Sequence, residues 1–261
     1  MIKKFLSRLT VLSLLVLLAH NAWAGTSVDF NDINCESAWL LNINEDPQTD
    51  SSGNGITGDV NGATFTASGK YDGGYDFDGS LDDIGYGINT WNGLTAGSYS
   101  AVLYAYLDAL PGTDDFDRLL DFEGRILYIE AREVDSTWRS GIYNGSTTFE
   151  TTSTTKYVTG EWIHFAGIVD SAGSKVYLYI NGVEEDNIAY TGTPDNSQSR
   201  QNNIGLAYDD TGGSVDGRMD EVAVFSDVLT STEVNDIMDN GLAPVAAAAG
   251  QVILISKLDN D

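Results

Sequence analysis

The clearest pattern along the chain is an alternation of apolar and polar positions in short runs, which is the period of a β-strand. Val176, Leu178 and Ile180 fall on one side of an extended segment, and Lys and Tyr residues fill the positions between them. Asn181 and Gly182 follow directly, and this dipeptide tolerates the positive φ angles that a two-residue hairpin turn needs. The pattern predicts a hairpin in which one wall of the strand is apolar.

Runs of this kind recur through most of the chain, between clusters of Gly, Asn, Asp and Ser. All 4 Pro residues lie outside the runs, as expected because Pro cannot donate to a β-ladder. The spacing of the runs predicts a two-sheet antiparallel sandwich of the jelly-roll type. The predicted strands are 38–43, 63–67, 75–77, 84–88, 99–107, 118–122, 125–132, 138–143, 147–151, 162–169, 175–180, 183–190, 202–206 and 218–225.

One segment, residues 231–239, has the spacing and the flanking residues of a helix. Thr230 and Glu233 form a capping-box pattern at its start, and Gly241 is the residue type preferred just after a helix. An apolar stripe that begins at Val234 gives the helix one face to bury. The predicted fold class is therefore all-β, a two-sheet antiparallel jelly-roll sandwich with one short C-terminal helix.

The first 24 residues have the features of a secretory signal peptide. A basic start precedes an apolar stretch at 12–19, which is too short to favour a membrane span, and small residues precede the expected cleavage before Gly25. We expect an exported chain with no membrane span after cleavage, located in the periplasm, on the cell surface or outside the cell. An uncleaved anchor is the alternative. Residues 25–242 are predicted to form one domain, and 243–261 form either a frayed tail or one added edge strand.

The charge of the chain limits its partners. It has 39 Asp and Glu against 13 Lys and Arg, which gives a formal net charge of -26. Removal of the signal peptide would take away three of the 13 basic residues and no acidic residue. Such a chain repels nucleic acids and anionic membranes. Polyanionic glycans are poor partners on the same ground unless a cation bridges the two. The charge does not predict disorder, because 42% of the residues are hydrophobic and can form a sizeable core.

Three sequence blocks resemble the laminin-G-like, concanavalin A-like jelly-roll family. They are DSSGNGITG at 50–58, W-x-H-x-A followed by V-x-L-Y-x-N-G within 162–182, and G-x-x-D-E-V followed by L-T-x-x-E-V within 217–234. Their order is the order found in the family, and the resemblance implies the same fold. One departure is that Tyr104 and Tyr106 stand where relatives usually have Ala and Trp. Because this fold hosts lectins, adhesion modules and enzymes, the resemblance does not specify an activity.

The resemblance also implies a structural calcium ion, held between an early loop and the last strand. Its ligands would be Asp50 in the early loop and Asp220 in the last strand, with loop carbonyls supplying further oxygens. The alternative is that Asp50 forms an Asx turn and that Asp220 accepts backbone hydrogen bonds, with no metal involved. Both interpretations remain open at this point.

Exposed aromatic rings flanked by polar side chains are the expected platforms for sugar binding. Trp91 lies in a predicted loop, and Trp138 lies in a polar, turn-prone setting near Arg139, Tyr143 and Asn144. These residues are the candidate ligand-binding set. If the two-residue alternation holds at Trp138, however, its side chain turns into the core instead.

Few residues offer catalytic chemistry. Cys35 is the only Cys of the chain, and His164 is the only His that follows the predicted signal peptide, so zinc hydrolysis lacks ligands. A Cys–His pair is formally available but is expected to be structural. Retaining glycosidases on related jelly rolls carry an E-x-D-x-E strand, and the nearest segment here, 130–135, has the wrong spacing. We predict no catalytic residues and no enzymatic activity.

The combined prediction is an exported, non-catalytic recognition module that binds a glycan or an extracellular protein through loops of a calcium-stabilised jelly roll. Two alternatives remain. One is a glycoside hydrolase or polysaccharide lyase on the same fold, and the other is a purely structural or adhesive surface module. The sequence does not specify the ligand or the oligomeric state.

Overall fold

The computed structural model describes residues 34–87, 94, 97–110, 116–122, 124–196, 201–207 and 213–242. The predicted signal peptide, the predicted tail and Trp91 all lie outside these residues. Among the described residues, no helix is long and apolar enough to cross a membrane.

The described chain consists of strands joined by short turns, followed by one helix near its C-terminal end. The elements are β1 (Cys35–Trp39), β2 (Asp59–Asn61), β3 (Thr64–Tyr71), β4 (Gly73–Asp78), β5 (Asp83–Tyr86), β6 (Tyr99–Leu107), β7 (Phe116–Phe122), β8 (Leu127–Arg132), β9 (Thr137–Tyr143), β10 (Thr148–Glu150), β11 (Trp162–Asp170), β12 (Lys175–Ile180), β13 (Val183–Ala189), β14 (Asn202–Ile204), β15 (Asp216–Phe225) and α1 (Ser231–Asn240).

The strands form two antiparallel sheets, which confirms the predicted jelly-roll sandwich. The eight-stranded sheet has the order β13-β12-β11-β6-β15-β4-β3, and β1 also pairs with β15. The seven-stranded sheet has the order β10-β9-β8-β7-β14-β5-β2. Seven of the thirteen neighbouring strand pairs join strands that are not consecutive in sequence, as crossing connections between two sheets require.

The predicted strand bounds are correct for β6 and β12 and close for most of the others. Two differences have clear causes. The first strand was predicted over 38–43, but β1 ends at Trp39. Leu41 has a φ of 54°, which lies outside the extended region that a β-strand requires. The short strand β2 was not predicted, since three residues of sequence DVN carry too little alternation to be recognised.

The main core lies between the two sheets. Each strand sends alternate apolar side chains into it, among them Leu103 from β6, Ile129 from β8 and Phe165 from β11. Trp39 of β1 stacks on Tyr86 of β5 with ring centroids 3.7 Å apart, and this contact joins the two sheets.

Helix α1 covers a second apolar cluster on the outer face of the eight-stranded sheet. Its N-terminus has the predicted capping box, in which Thr230 and Glu233 satisfy each other's backbone N–H groups. Val234 and Ile237 are its buried residues. At the other end, the hydroxyls of two tyrosines on β3 and β6 donate to the carbonyl of Met238. The helix is therefore fixed at both ends, on the side of the sandwich that lies opposite the seven-stranded sheet.

Candidate functional site: the polar face of the seven-stranded sheet

Strand β8 places charged side chains on the outer face of the seven-stranded sheet. Ile129 and Ala131 join the core between the sheets, as the two-residue period of a strand requires. Tyr128, Glu130 and Arg132 alternate with them and point the opposite way, away from the core. One side of β8 is therefore apolar and faces the core, and the other side is polar.

The neighbouring strands add polar residues in register with this polar phase. Arg118 of β7 lies opposite Glu130, which in turn lies opposite Arg139 of β9. Asp121 of β7 pairs with Tyr128 on one side and with Asn203 of β14 on the other. Paired residues of a sheet share a face, so these side chains lie together. We call this set the polar face, consisting of Arg118, Asp121, Tyr128, Glu130, Arg132, Arg139, Glu150 and Asn203.

Arg118 is the buried centre of the polar face. Its Nη2 lies 3.1 Å from Oε2 of Glu130, and its Nη1 lies 3.5 Å from Oδ2 of Asp121. The guanidinium carbon sits 4.1 Å from the ring centroid of Tyr128 and 4.9 Å from that of Phe116. Burial lowers the pKa of Arg118, but the two carboxylates outweigh burial and raise it. The guanidinium is therefore a fixed positive charge, held by ion pairs and by aromatic rings.

Glu130 is the carboxyl group at the middle of the polar face, and it is only 2% exposed. Burial raises its pKa, while the charge of Arg118 acts in the opposite direction and Glu150 adds to the rise. Its Oε1 has no hydrogen-bond partner among the described residues, and the guanidinium of Arg132 is 3.7 Å away. That separation is an ionic contact and too long for a hydrogen bond.

Arg139 joins the buried part of the polar face to its accessible edge. Its Nη2 lies 2.6 Å from Oδ2 of Asp135, and its Nη1 lies 3.0 Å from Oε2 of Glu150. The hydroxyl of Tyr128 donates to the other oxygen of Glu150 at 2.5 Å. Burial lowers the pKa of Arg139, and its hydrogen bond to Asp135 and the nearby carboxylates raise it overall. This edge is a charged, hydrogen-bonded surface that solvent can reach.

Several buried polar atoms of the polar face have no hydrogen-bond partner among the described residues. They are the Nε atoms of Arg118, Arg132 and Arg139 and the Oδ1 atom of Asn203, in addition to Oε1 of Glu130. Nearly all buried polar groups in folded proteins are hydrogen-bonded, so each exception needs an explanation. Donors and acceptors left open on one face can be satisfied by water or by the hydroxyl and acid groups of a ligand.

Comparison with known sequences identifies the family of the chain. Residues 87–235, more than half of the chain, match the Laminin_G_3 family model, which is described as the concanavalin A-like lectin/glucanases superfamily. The chain belongs to this family. A search of the curated proteins gives no match to this Laminin_G_3 chain.

Three solved structures are similar to this Laminin_G_3 chain in fold. Domain 4 of AbnA, an extracellular GH43 arabinanase from Geobacillus stearothermophilus in complex with arabinotriose, is 20% identical with a TM-score of 0.62, covering 79% of this chain and 98% of that one. The binding domain of Paraclostridial Mosquitocidal Protein 1 is 14% identical with a TM-score of 0.63, and the match covers 78% of this chain and 52% of that one. Trypanosoma rangeli sialidase in complex with the inhibitor DANA is 13% identical with a TM-score of 0.58, and the match covers 79% of this chain and 33% of that one. The chain thus spans about half of the second protein and a third of the third.

The prediction that Trp138 is an exposed stacking platform is wrong. Its side chain is fully buried and packs against Phe165 at a centroid distance of 4.6 Å and against Tyr157 at 6.0 Å. The two-residue alternation of β9 turns Trp138 into the core of the laminin-G-like sandwich, together with Ile142. A buried ring cannot meet a ligand, so Trp138 is a core residue.

The other predicted ligand residues divide into two groups. Arg139 belongs to the polar face, and Tyr143 follows it on the same side of β9, where the guanidinium of Arg125 lies 4.6 Å from its ring centroid. Asn144 instead serves a turn: its Oδ1 accepts from two backbone N–H groups, and its Nδ2 donates to the carbonyl of Thr191 at 2.8 Å. The structure thus brings Arg139 and Tyr143 to one face and gives Asn144 a structural role.

Asp50 makes the hydrogen bonds expected of an Asx turn. Its Oδ1 accepts from the N–H groups of Ala38 and Ser52, each at 2.9 Å, and its Oδ2 accepts from the N–H of Ile56 at 3.0 Å. The carboxylate therefore ties the early loop to β1. These bonds are those of the metal-free alternative, and they leave Asp50 little capacity for a cation.

Asp220 is buried in β15 and has one open oxygen. Its Oδ2 accepts from the N–H of Tyr71 at 2.8 Å, whereas its Oδ1 has no hydrogen-bond partner in the part of the chain that the structure describes. Burial raises its pKa to about 7. Within that part, no group of three or more His, Cys, Asp or Glu residues could hold a metal ion. A calcium ion would need about six to eight oxygens, so carbonyls and water would have to supply most of them. Calcium binding stays a prediction.

Cys35 and His164 are not brought together. They lie on β1 and β11, which β15 and β6 separate in the eight-stranded sheet. Burial raises the pKa of the Cys35 thiol, and burial together with Lys70 lowers the pKa of His164 to about 3. The imidazole packs against the ring of Tyr104 with centroids 4.9 Å apart. Both residues therefore fill structural positions in the laminin-G-like sheet.

Two further tryptophans lie in predicted core strands, which favours burial. Trp39 is fully buried, whereas Trp162 is only partly buried, on the outer face of the eight-stranded sheet. There it contacts Tyr106, and Arg218 stacks on the Tyr106 ring at 3.8 Å. This Arg–Tyr–Trp row is separate from the polar face, so Arg218 offers a control for substitutions made there.

Most of the polar face was not predicted from the sequence. The predicted sugar contacts were aromatic residues in loops and turn-prone segments with their polar neighbours, and the outward-facing residues of β7 and β8 were not among them. The signal was present, because Tyr128, Glu130 and Arg132 alternate with the apolar residues of β8. An outward polar phase is common in antiparallel sheets, but here Tyr128 and Glu130 are buried, which distinguishes this face from an ordinary solvated one.

Proposed function

We propose that this chain is an exported, non-catalytic recognition module that binds carbohydrate at the polar face of its seven-stranded sheet. The observation that carries the proposal is the set of buried donors and acceptors on this face that have no hydrogen-bond partner among the described residues, above all Nε of Arg132 and Oε1 of Glu130. Sugars present hydroxyl groups that both donate and accept, and they can satisfy such atoms. A protein partner is the alternative ligand for the same surface.

The layout of the polar face supports binding without a large aromatic platform. Arg118 and Glu130 are buried and fixed in position, whereas Arg132, Arg139 and Glu150 are 30%, 14% and 28% exposed. Rigid polar groups behind an accessible rim bind with little loss of side-chain entropy. The arabinotriose complex of the arabinanase domain, of which the match covers 98% against 79% of this chain, supports a sugar as the class of ligand.

We also propose that calcium stabilises the sandwich, as the family resemblance implies. The open Oδ1 of Asp220 supports this part of the proposal, and the hydrogen-bonded carboxylate of Asp50 argues that Asp50 is not a ligand. This part is independent of the sugar site, since Asp220 lies on the eight-stranded sheet.

The test is a glycan array with the purified protein, run with and without calcium, followed by titration calorimetry on the best ligand. Arg139→Ala should weaken binding about ten- to hundredfold, because it removes a charged hydrogen-bond donor. Arg218→Ala removes the same charge from the opposite side of the sandwich and should leave affinity unchanged. Loss of binding in Arg218→Ala and not in Arg139→Ala would place the ligand on the other sheet and contradict the proposal.

A second candidate function is cleavage of the bound glycan, and one observation favours it. Glu130 is a buried carboxyl group whose pKa is raised, which is the state required of a general acid. A reducing-sugar assay on mixed polysaccharides tests this candidate. Turnover by the wild-type protein that Glu130→Gln abolishes would establish an enzyme, whereas binding without turnover supports the recognition module.

A further inference from the structure

We infer that the glycan bound at the polar face is acidic, built from sugars that carry carboxylate groups, and that Arg132 receives one of those carboxylates. The inference rests on the proposed function, because it names the class of ligand for the same site. It also reverses the expectation from net charge that acidic glycans are poor partners.

Arginines are concentrated on this side of an otherwise very acidic chain. Arg118, Arg125, Arg132 and Arg139 follow one another at seven-residue intervals, and they are four of the 13 basic residues of the whole sequence. Three belong to the polar face, and Arg125 stacks beside it on Tyr143. The polar face as defined carries three arginines and three carboxylic acids, so it is formally neutral, whereas the whole chain has a net charge of -26. A negatively charged sugar therefore meets less repulsion there than it would from the average surface of the chain.

Arg132 differs from the other two arginines of the polar face in having no strong partner. Arg118 contacts Glu130 at 3.1 Å, and Arg139 contacts its two carboxylates at 2.6 and 3.0 Å. The only ion pair of Arg132 within the described residues is the 3.7 Å contact with Glu130. Its Nε is buried and has no hydrogen-bond partner in the part of the chain that the structure describes, while 30% of its side chain is accessible. Arg132 is thus a partly accessible and weakly paired cation at the edge of the site.

The carboxylates nearest Arg132 are shared with the other arginines. Glu130 contacts both Arg132 and Arg118, and Asp135 and Glu150 are both paired with Arg139. Arg132 is therefore the arginine of the polar face that a carboxylate holds least closely. A planar guanidinium binds a planar carboxylate through two parallel N–H···O bonds, so a uronic acid matches this group better than a neutral sugar does.

The experiment compares oligosaccharides that differ only in their acid groups. Calorimetric Kd values would be measured for oligomers of galacturonate, glucuronate and alginate, and for the same oligomers after reduction of the carboxyl groups to alcohols. We expect at least one acid form to bind about tenfold or more tightly than its reduced form, and to weaken as salt rises from about 50 to about 300 mM. Sulfated neutral oligomers form a third arm.

Variants then assign the effect to Arg132. Arg132→Ala should weaken the acid form about ten- to hundredfold while leaving the Kd of the reduced form unchanged. Arg132→Lys should restore part of the affinity, because it keeps the charge but loses the fork. Arg218→Ala should behave as wild type. Thermal melts of all variants check that each is folded, and the unchanged Kd for the reduced form provides a second check.

The outcomes separate the inference from the proposed function. Equal affinity for acid and reduced oligomers, or binding of the sulfated arm alone, would overturn the inference and leave carbohydrate recognition standing. An acid preference that Arg132→Ala does not alter would overturn the assignment to Arg132. No binding in any arm, together with a blank glycan array, would overturn both.

Discussion

Replacement of Arg118 by Met should destabilise the protein strongly, and by an amount that depends on pH. Arg118 is 5% exposed and is the contact shared by the carboxyl groups of Asp121 and Glu130. Met fills the apolar part of the space, but two buried acids lose their cation. Loss of one partner of a buried ion pair costs about 3–5 kcal/mol. We expect a loss of roughly that size at about pH 8, well above the ordinary pKa of a carboxyl group.

The pH dependence follows from Glu130. Burial already raises its pKa in the wild-type protein, and Arg118 is the strongest influence holding it down. Without Arg118 the folded pKa rises further above the unfolded value of about 4.3, so the folded state binds the proton more tightly. The contribution of Glu130 to the stability of the variant is then greatest at low pH and is lost as pH rises through its folded pKa. The loss of stability should therefore be smaller at about pH 5 than at about pH 8, because the folded state of the variant takes up the proton on Glu130 more readily than the unfolded state does.

Urea unfolding followed by circular dichroism at the two pH values measures both losses. Arg218→Met is the matched control, since its partner Asp108 is 45% exposed and such ion pairs contribute about 0–1 kcal/mol. The reasoning is refuted if Arg118→Met loses under about 1 kcal/mol at both pH values, or loses the same amount at each. Either result would mean that water already solvates these carboxyl groups.

Three further predictions concern the core and the buried acid of β15. Trp138→Ala should cost about 3–5 kcal/mol in urea unfolding, because its side chain is fully buried, and a loss under about 1 kcal/mol would contradict that burial. In chelator, stability should fall as pH rises from about 4, the ordinary pKa of an Asp, to about 7, because burial raises the folded pKa of Asp220. Asp220→Asn should remove much of this slope, and an unchanged slope would assign it to Glu221 instead. Calcium should raise Tm by an amount equivalent to about 2.7 kcal/mol at a hundredfold excess over Kd. Asp220→Ala should abolish this increase, and identical melts of metal-loaded protein with and without chelator would rule calcium out.

The fold could be predicted from the sequence because its signals are local. The alternation in β12, its Asn–Gly turn and the capping box of α1 each need only a few neighbouring residues. The predicted strand bounds were wrong where the backbone conformation of one residue ends a strand, as at Leu41. The family blocks, which occur in the order found in the family, then implied the jelly-roll fold.

The site was harder to predict, since it depends on which phase of a strand faces outward. Trp138 and Arg139 are adjacent in sequence, yet one lies in the core and the other on the polar face. The register that places Arg118 opposite Glu130 joins two strands across a turn, and the contact of Asp121 with Asn203 joins segments some eighty residues apart. No local pattern carries pairings of that kind. Asp50 was identified as a special residue, but its three backbone partners are visible only in the folded loop.

The apolar cluster beneath α1 also determines how the domain is presented to its surroundings. Cys35, close to the first described residue, and Leu242, the last one, are both packed in that cluster. The backbone N–H of Leu242 is further held by the carboxylate of Glu221. The chain thus enters and leaves the sandwich on the same side, behind the eight-stranded sheet. The first and last described residues therefore lie on the side of the domain opposite the arginines of the polar face, and the binding face is free of both.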